Sequence, residues 1–125
     1  MISGNFDSGM LSYLGDAVWE LLARERLFKT VSHGNKKANR MALSFVTATA
    51  QCAALEKLIP ILTDEELEVY KWGRNTKTHS HSPTVSREDY QRATGLEVLF
   101  GYLYVSDKTE RCRELFNFAF SENKL

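Results

Sequence analysis

Cysteine and proline are scarce, with two of each in 125 residues. Cys52 and Cys112 are too few and too far apart for a disulfide framework or a zinc motif. Two reduced thiols fit a cytoplasmic protein. Pro60 and Pro83 leave long stretches free of helix breakers, and each is expected to punctuate a loop. No apolar run approaches the length of a membrane span. The first ten residues, MISGNFDSGM, lack the basic start and apolar stretch of a signal peptide, so no membrane partner is expected. Strand-like alternation, internal repeats and low-complexity tracts are absent. The net formal charge is zero, which by itself argues against a nucleic-acid binder.

Hydrophobic residues make up 43% and charged residues 26%, the balance of an ordinary globule. Residues 1–125 are expected to form a single domain. The charge is unevenly spread. Arg24, Arg26, Lys29, Lys36, Lys37 and Arg40 face only Glu25 in their stretch. Lys71, Arg74, Lys77, Arg87 and Arg92 outnumber Glu88 and Asp89 in theirs. The balancing acids gather between Glu56 and Glu68, so a neutral total can hide two basic surfaces of the kind phosphate backbones require. Solvated helix faces are the alternative.

Periodicity predicts five helices, over about 8–28, 35–58, 63–73, 86–105 and 108–120, joined by a polar loop at 74–86. Thr63 is an N-cap with Glu66 as its capping-box partner, and Asp64, Glu65 and Glu66 add favourable charge at that helix start. Ser86 is a second N-cap, with Asp89 as its partner. The expected class is all-α.

Two acids stand out. In MLSYLGDAVW the only charge is Asp16, and in LEVLFGYLYV the only charge is Glu97. Both stretches are apolar nearly all round, so both helices are expected deep in the fold. A buried carboxylate must take a proton, pair with a base or bind a cation. Neither stretch supplies a base of its own. Two acids from two central helices can converge on one hard cation. Facing solvent, or pairing with an arginine from elsewhere, stays open for each acid. Gly15 precedes Asp16, and Gly101 lies one turn after Glu97 on the same helical face. Small residues there permit a close approach, whether of a helix, a substrate backbone or a hydrated ion.

These residues carry a resemblance. LSYLGDAVWE at 11–20 resembles the LGDAV signature of the ribonuclease III catalytic domain, and YQRATGLEVLFGYLY at 90–104 resembles that family's second acidic helix. GRNTK at 73–77 and VTATAQ at 46–51 look like the short branch, Mini-ribonuclease III. A chain stopping at Leu125 is expected to lack the double-stranded-RNA-binding domain of longer members.

The resemblance implies a helical homodimer that cuts both strands of an RNA duplex and leaves 5′-phosphate and 3′-hydroxyl ends. Asp16 and Glu97 match the motif acids and would hold Mg²⁺ and position the attacking water. Full-length members carry further acids one turn before each. Here those positions hold Ser12 and Thr94, as is usual in the short branch, and their hydroxyls are candidates to bind a metal-coordinated water. Arg74, Asn75 and Lys77 would contact RNA, with Lys36, Lys37 and Arg40 at the duplex flank. The implied substrate is the precursor of large-subunit (23S) ribosomal RNA, with a ribosomal-protein helper as a further partner. His79 and His81 lack a third zinc ligand and are read as loop residues. Trp19 and Trp72 are read as core or dimer anchors.

Two other readings compete. An all-α, Mg²⁺-dependent nucleotide pyrophosphohydrolase also places carboxylates on helices, but in ExxE and ExxD pairs that this chain lacks. A catalytically retired ribonuclease III-fold protein would bind RNA only. Retention of both Asp16 and Glu97 counts against it.

Overall fold

The computed structural model describes residues 6–30, 44–76 and 85–121. Within them lie α1 (Ser8–Thr30), α2 (Ala48–Leu58), α3 (Asp64–Arg74), α4 (Arg87–Val105) and α5 (Thr109–Ala119), with a 3₁₀ turn at Ile59–Ile61. No strand occurs among the described residues, so the all-α expectation holds. No described helix is long and apolar enough to cross a membrane.

Helix boundaries follow local chemistry. Thr63 accepts from the Glu66 amide at 3.1 Å while Glu66 accepts from the Thr63 amide at 2.9 Å, the capping box the sequence predicts. Ser86 accepts from the Asp89 amide at 3.0 Å, but the reciprocal half is not made. Asp89 has a shorter side chain than glutamate and instead lies 3.6 Å from the Arg92 guanidinium. Between α4 and α5 the chain turns through Asp107, whose φ of 63° lets Lys108 donate back to the Leu103 carbonyl at 2.8 Å.

The expected single helix over 35–58 is corrected. The chain is helical at 44–46, bends at Thr47 and starts again as α2. Thr47 is the cause: its backbone is extended (φ −71°, ψ 160°), and its hydroxyl accepts from the Ala50 amide at 3.1 Å. The earlier part of that predicted helix, and Pro83, lie outside the described residues. The helix stops at Leu58 as expected, and Pro60 sits within the 3₁₀ turn.

Helix α4 is central and packs against all four of the others. Its Leu96, Val98, Leu99, Phe100 and Leu103 are buried on several sides, as its nearly uniform apolarity predicts. Trp19 is a core residue, stacked edge-on against Phe100 and Phe116 at 4.9 Å each. Its indole N–H donates to the Phe45 carbonyl at 2.7 Å.

Helix α1 departs from expectation. Leu11, Gly15, Val18, Trp19 and Leu22 face α4, but Met10, Tyr13, Leu21 and Phe28 are 63%, 77%, 58% and 87% exposed. A helix apolar all round need not be buried all round: among the described residues, nothing covers its outer face.

The two helices cross where Gly15 meets Gly101. A Cβ on Gly15 would stand 2.6 Å from the Glu97 carbonyl carbon and 2.9 Å from the Gly101 amide nitrogen. Backbone therefore touches backbone. Replacing Gly15 with alanine should destabilise by roughly 1–3 kcal/mol through overpacking, even after the gain of about 1 kcal/mol in helix propensity. Urea denaturation checks this; a variant as stable as wild type would contradict the crossing.

Candidate active site

Asp16 and Glu97 meet because of that crossing. Asp16 follows Gly15 on α1, and Glu97 precedes Gly101 by one turn on α4. Their carboxyl groups are near enough that the Asp16 charge acts on Glu97. They line one open cleft of about 400 Å³ together with Ser12, Tyr13, Gln51, Tyr90, Ala93 and Thr94. No Lys, Arg or His is among its described lining residues.

The two acids differ in setting. Asp16 is exposed, which corrects the expectation that it lies deep in an apolar interior. It sits at the edge between the face of α1 packed on α4 and the uncovered outer face. Glu97 is half-buried and enclosed. The Ser12 hydroxyl donates to its Oε1 at 3.0 Å, and the Gln51 carboxamide donates to its Oε2 at 3.5 Å. Burial first, and the Asp16 charge second, push the Glu97 carboxyl up to about 7, against the pull of its two donors.

This set suits a divalent ion. With no base among the described lining, the two carboxylates repel one another, and a hard cation would relieve this. Among the described residues no group of three or more His, Cys, Asp or Glu gathers anywhere, so two carboxylates are what the described part of the cleft offers an ion. Mg²⁺ accepts such a set.

Of the other residues singled out in the sequence, Ser12 and Thr94 line the cleft. Ser12 commits its proton to Glu97. Arg74 and Asn75 line a different cleft, also about 400 Å³, with Glu88, Gln91 and Arg92. The Arg74 guanidinium lies over the Tyr70 ring, 5.6 Å from its centre, and its Nε donates to Asn75 at 3.1 Å. Lys77, Lys36, Lys37, Arg40, His79 and His81 lie outside the described residues. Trp72 is half-buried against the core.

Sequence reasoning did not single out Gln51, Tyr13 or Tyr90, and it gave Arg92 only as one of a basic stretch. For Gln51 a signal existed: it shares a helical face with Ala54, Leu55 and Leu58, where a carboxamide is out of place.

The ribonuclease III domain family matches residues 9–108, which span both acids. The chain belongs to the ribonuclease III family. This endoribonuclease is 41% identical over 109 residues to the Mini-ribonuclease 3 of Symbiobacterium thermophilum, covering 87% of this chain and 84% of that protein. It is 40% identical over 114 residues to the Mini-ribonuclease 3 of Enterococcus faecalis, with coverage of 87% and 84%. A crystal structure of a Fusobacterium nucleatum protein superposes with a TM-score of 0.83 at 26% identity, covering 97% of each chain. The pyrophosphohydrolase reading falls with this membership; the retired-enzyme reading shares the family fold and is decided by the cleavage test below.

The raised Glu97 pKa has a consequence for stability without metal. The folded state keeps its proton up to about pH 7, whereas an unfolded glutamate releases it near 4.5. Glu97 therefore costs stability progressively as pH rises through that window, and the full cost stands above it. Glu97→Gln should be more stable than wild type at pH 8 in chelator by roughly 1–3 kcal/mol, with the difference vanishing near pH 4. Urea titrations at the two pH values check this.

Proposed function

We propose that the chain is a Mg²⁺-dependent endoribonuclease of double-stranded RNA, with Asp16 and Glu97 as metal ligands and catalytic residues. The observation that carries this reading is a cleft, without a base among its described lining, in which two carboxylates from different helices meet. A divalent ion held there supplies positive charge against the scissile phosphate and makes a nearby water more acidic. Asp16, the exposed partner, offers its oxygens from the solvent side. Glu97, fixed by Ser12 and Gln51, offers its own from within. Thr94 lies beside them as a further polar contact in the same cleft. Arg74 and Asn75 bind the RNA backbone away from the reacting atoms, and Arg92 is added to that set by its place in their cleft. Lys77, Lys36, Lys37 and Arg40 complete the reading as RNA contacts.

The family resemblance extends the reading to products with 5′-phosphate and 3′-hydroxyl ends. It also extends it to a cytoplasmic role on the precursor of large-subunit (23S) ribosomal RNA, assisted by a ribosomal protein. Residues 1–125 act together as one catalytic domain. An end-labelled RNA duplex should be cleaved only with Mg²⁺ present. Asp16→Asn and Glu97→Gln should each lower the rate at least about a hundredfold while remaining folded. Undiminished cleavage in chelator would sink the proposal.

The same reading makes the enzyme a homodimer paired through α1. Met10, Tyr13, Leu21 and Phe28 leave a larger exposed apolar stripe than single scattered residues explain. An apolar cleft of about 480 Å³ lined by Phe6, Met10, Leu11, Tyr13, Leu14 and Val105 continues it. A second copy covers this surface and sets two acid clefts on one duplex. Because Leu21 and Phe28 are exposed in one copy, Leu21→Glu with Phe28→Glu should leave the helices intact but yield monomers by light scattering. A monomeric wild type at micromolar concentration would count against pairing.

A further inference from the structure

We propose that Gln51 is a positioning residue that fixes the Glu97 carboxylate for metal binding; this rests on the metal-site reading above. Gln51 and Glu66 are the two buried polar or charged side chains among the described residues, 3% and 7% exposed. Glu66 is explained by structure. It receives two hydrogen bonds from Arg111, at 2.8 and 2.9 Å, and closes the Thr63 capping box. Gln51 has no such structural account. It sits in the first turn of α2 on a face that is otherwise Ala54, Leu55 and Leu58, where leucine or methionine would fill the same volume without desolvating an amide. Its carboxamide is aimed at Oε2 of Glu97.

Several features hold it there. The Thr47 cap starts α2 one turn earlier, and the Gln51 amide donates to the Thr47 carbonyl at 2.9 Å. The Trp19 indole pins the preceding segment through Phe45. Ser12, from α1, takes the other carboxylate oxygen at 3.0 Å. Each oxygen of Glu97 thus has one donor, from two different helices. Ser12 holds one oxygen firmly and the longer Gln51 contact biases the other, so the plane of the carboxylate is favoured before an ion arrives.

The neutrality of both donors matters as much as their placement. A lysine or arginine at position 51 would also orient Glu97, but it would cancel the charge that attracts a cation. A carboxamide orients without neutralising. At 3.5 Å its bond is long enough to leave the Glu97 oxygen free for a stronger partner.

The test uses Mn²⁺ as probe on the RNA-free protein. Gln51→Leu keeps the volume and removes the donor, and Gln51→Met, of similar length, repeats the measurement should the leucine variant fold poorly. Both should bind Mn²⁺ about tenfold more weakly by calorimetry. Their melting temperatures in chelator should equal or exceed that of wild type, and cleavage should recover as Mg²⁺ is raised. Wild-type Mn²⁺ affinity in both variants would overturn the role of Gln51 and leave the metal site standing. Lost cleavage that tracks a lowered melting temperature would overturn it too. A wild-type protein that cleaves duplex RNA yet binds no Mn²⁺ would overturn the site reading and this proposal together.

Discussion

The contact on which the site depends is between two main chains. Where α1 crosses α4, Gly15 and Gly101 leave no side chain between the helices, and the Glu97 carbonyl fills the place a Cβ would take. The separation of the two acids is therefore set by backbone thickness, not by the fit of side chains. Asp16 is the next residue along one helix and Glu97 one turn back along the other, so neither Cα can shift without moving its whole helix. Such a distance is insensitive to repacking elsewhere in the core. The fold kept at a TM-score of 0.83 and only 26% identity is consistent with so simple a constraint.

The chain treats its two enclosed glutamates in opposite ways. Glu66 is neutralised by Arg111, which also reaches the Ile61 carbonyl at 3.1 Å and so ties the last helix to the start of α3. Among the described residues, Glu97 receives only uncharged donors and faces another acid. The first arrangement stabilises by satisfying a buried charge. The second leaves charge unmet, at a cost to the empty fold that a bound cation would recover.

Much of this was legible in the sequence. Helix class, most boundaries and the Thr63 capping box follow from periodicity and cap chemistry, and the isolation of Asp16 and Glu97 marked them as unusual. The break at Thr47 was hidden because a threonine within an Ala-rich run reads equally as helix interior or as cap, and the choice depends on where the preceding turn packs. The exposure of Asp16 was hidden for a different reason. Hydropathy reports that a face is apolar, not what covers it, and among the described residues the outer face of α1 meets nothing. Gln51 lies 46 residues from Glu97 in sequence, so only the packing of α2 on α4 shows them as partners. The split between the acid cleft and the Arg74 cleft arises from α4 presenting different faces to α1 and α3, which composition does not encode.

Tyr13 lines the acid cleft and also the apolar cleft on the outside of α1. One ring thus forms part of the wall between chemistry and surface. A substitution there is judged twice, once for what it does to the reacting groups and once for what it does to the outer face. Position 13 consequently has less freedom to drift than its exposure suggests. Neighbours on either side of the ring should change in concert with it rather than independently.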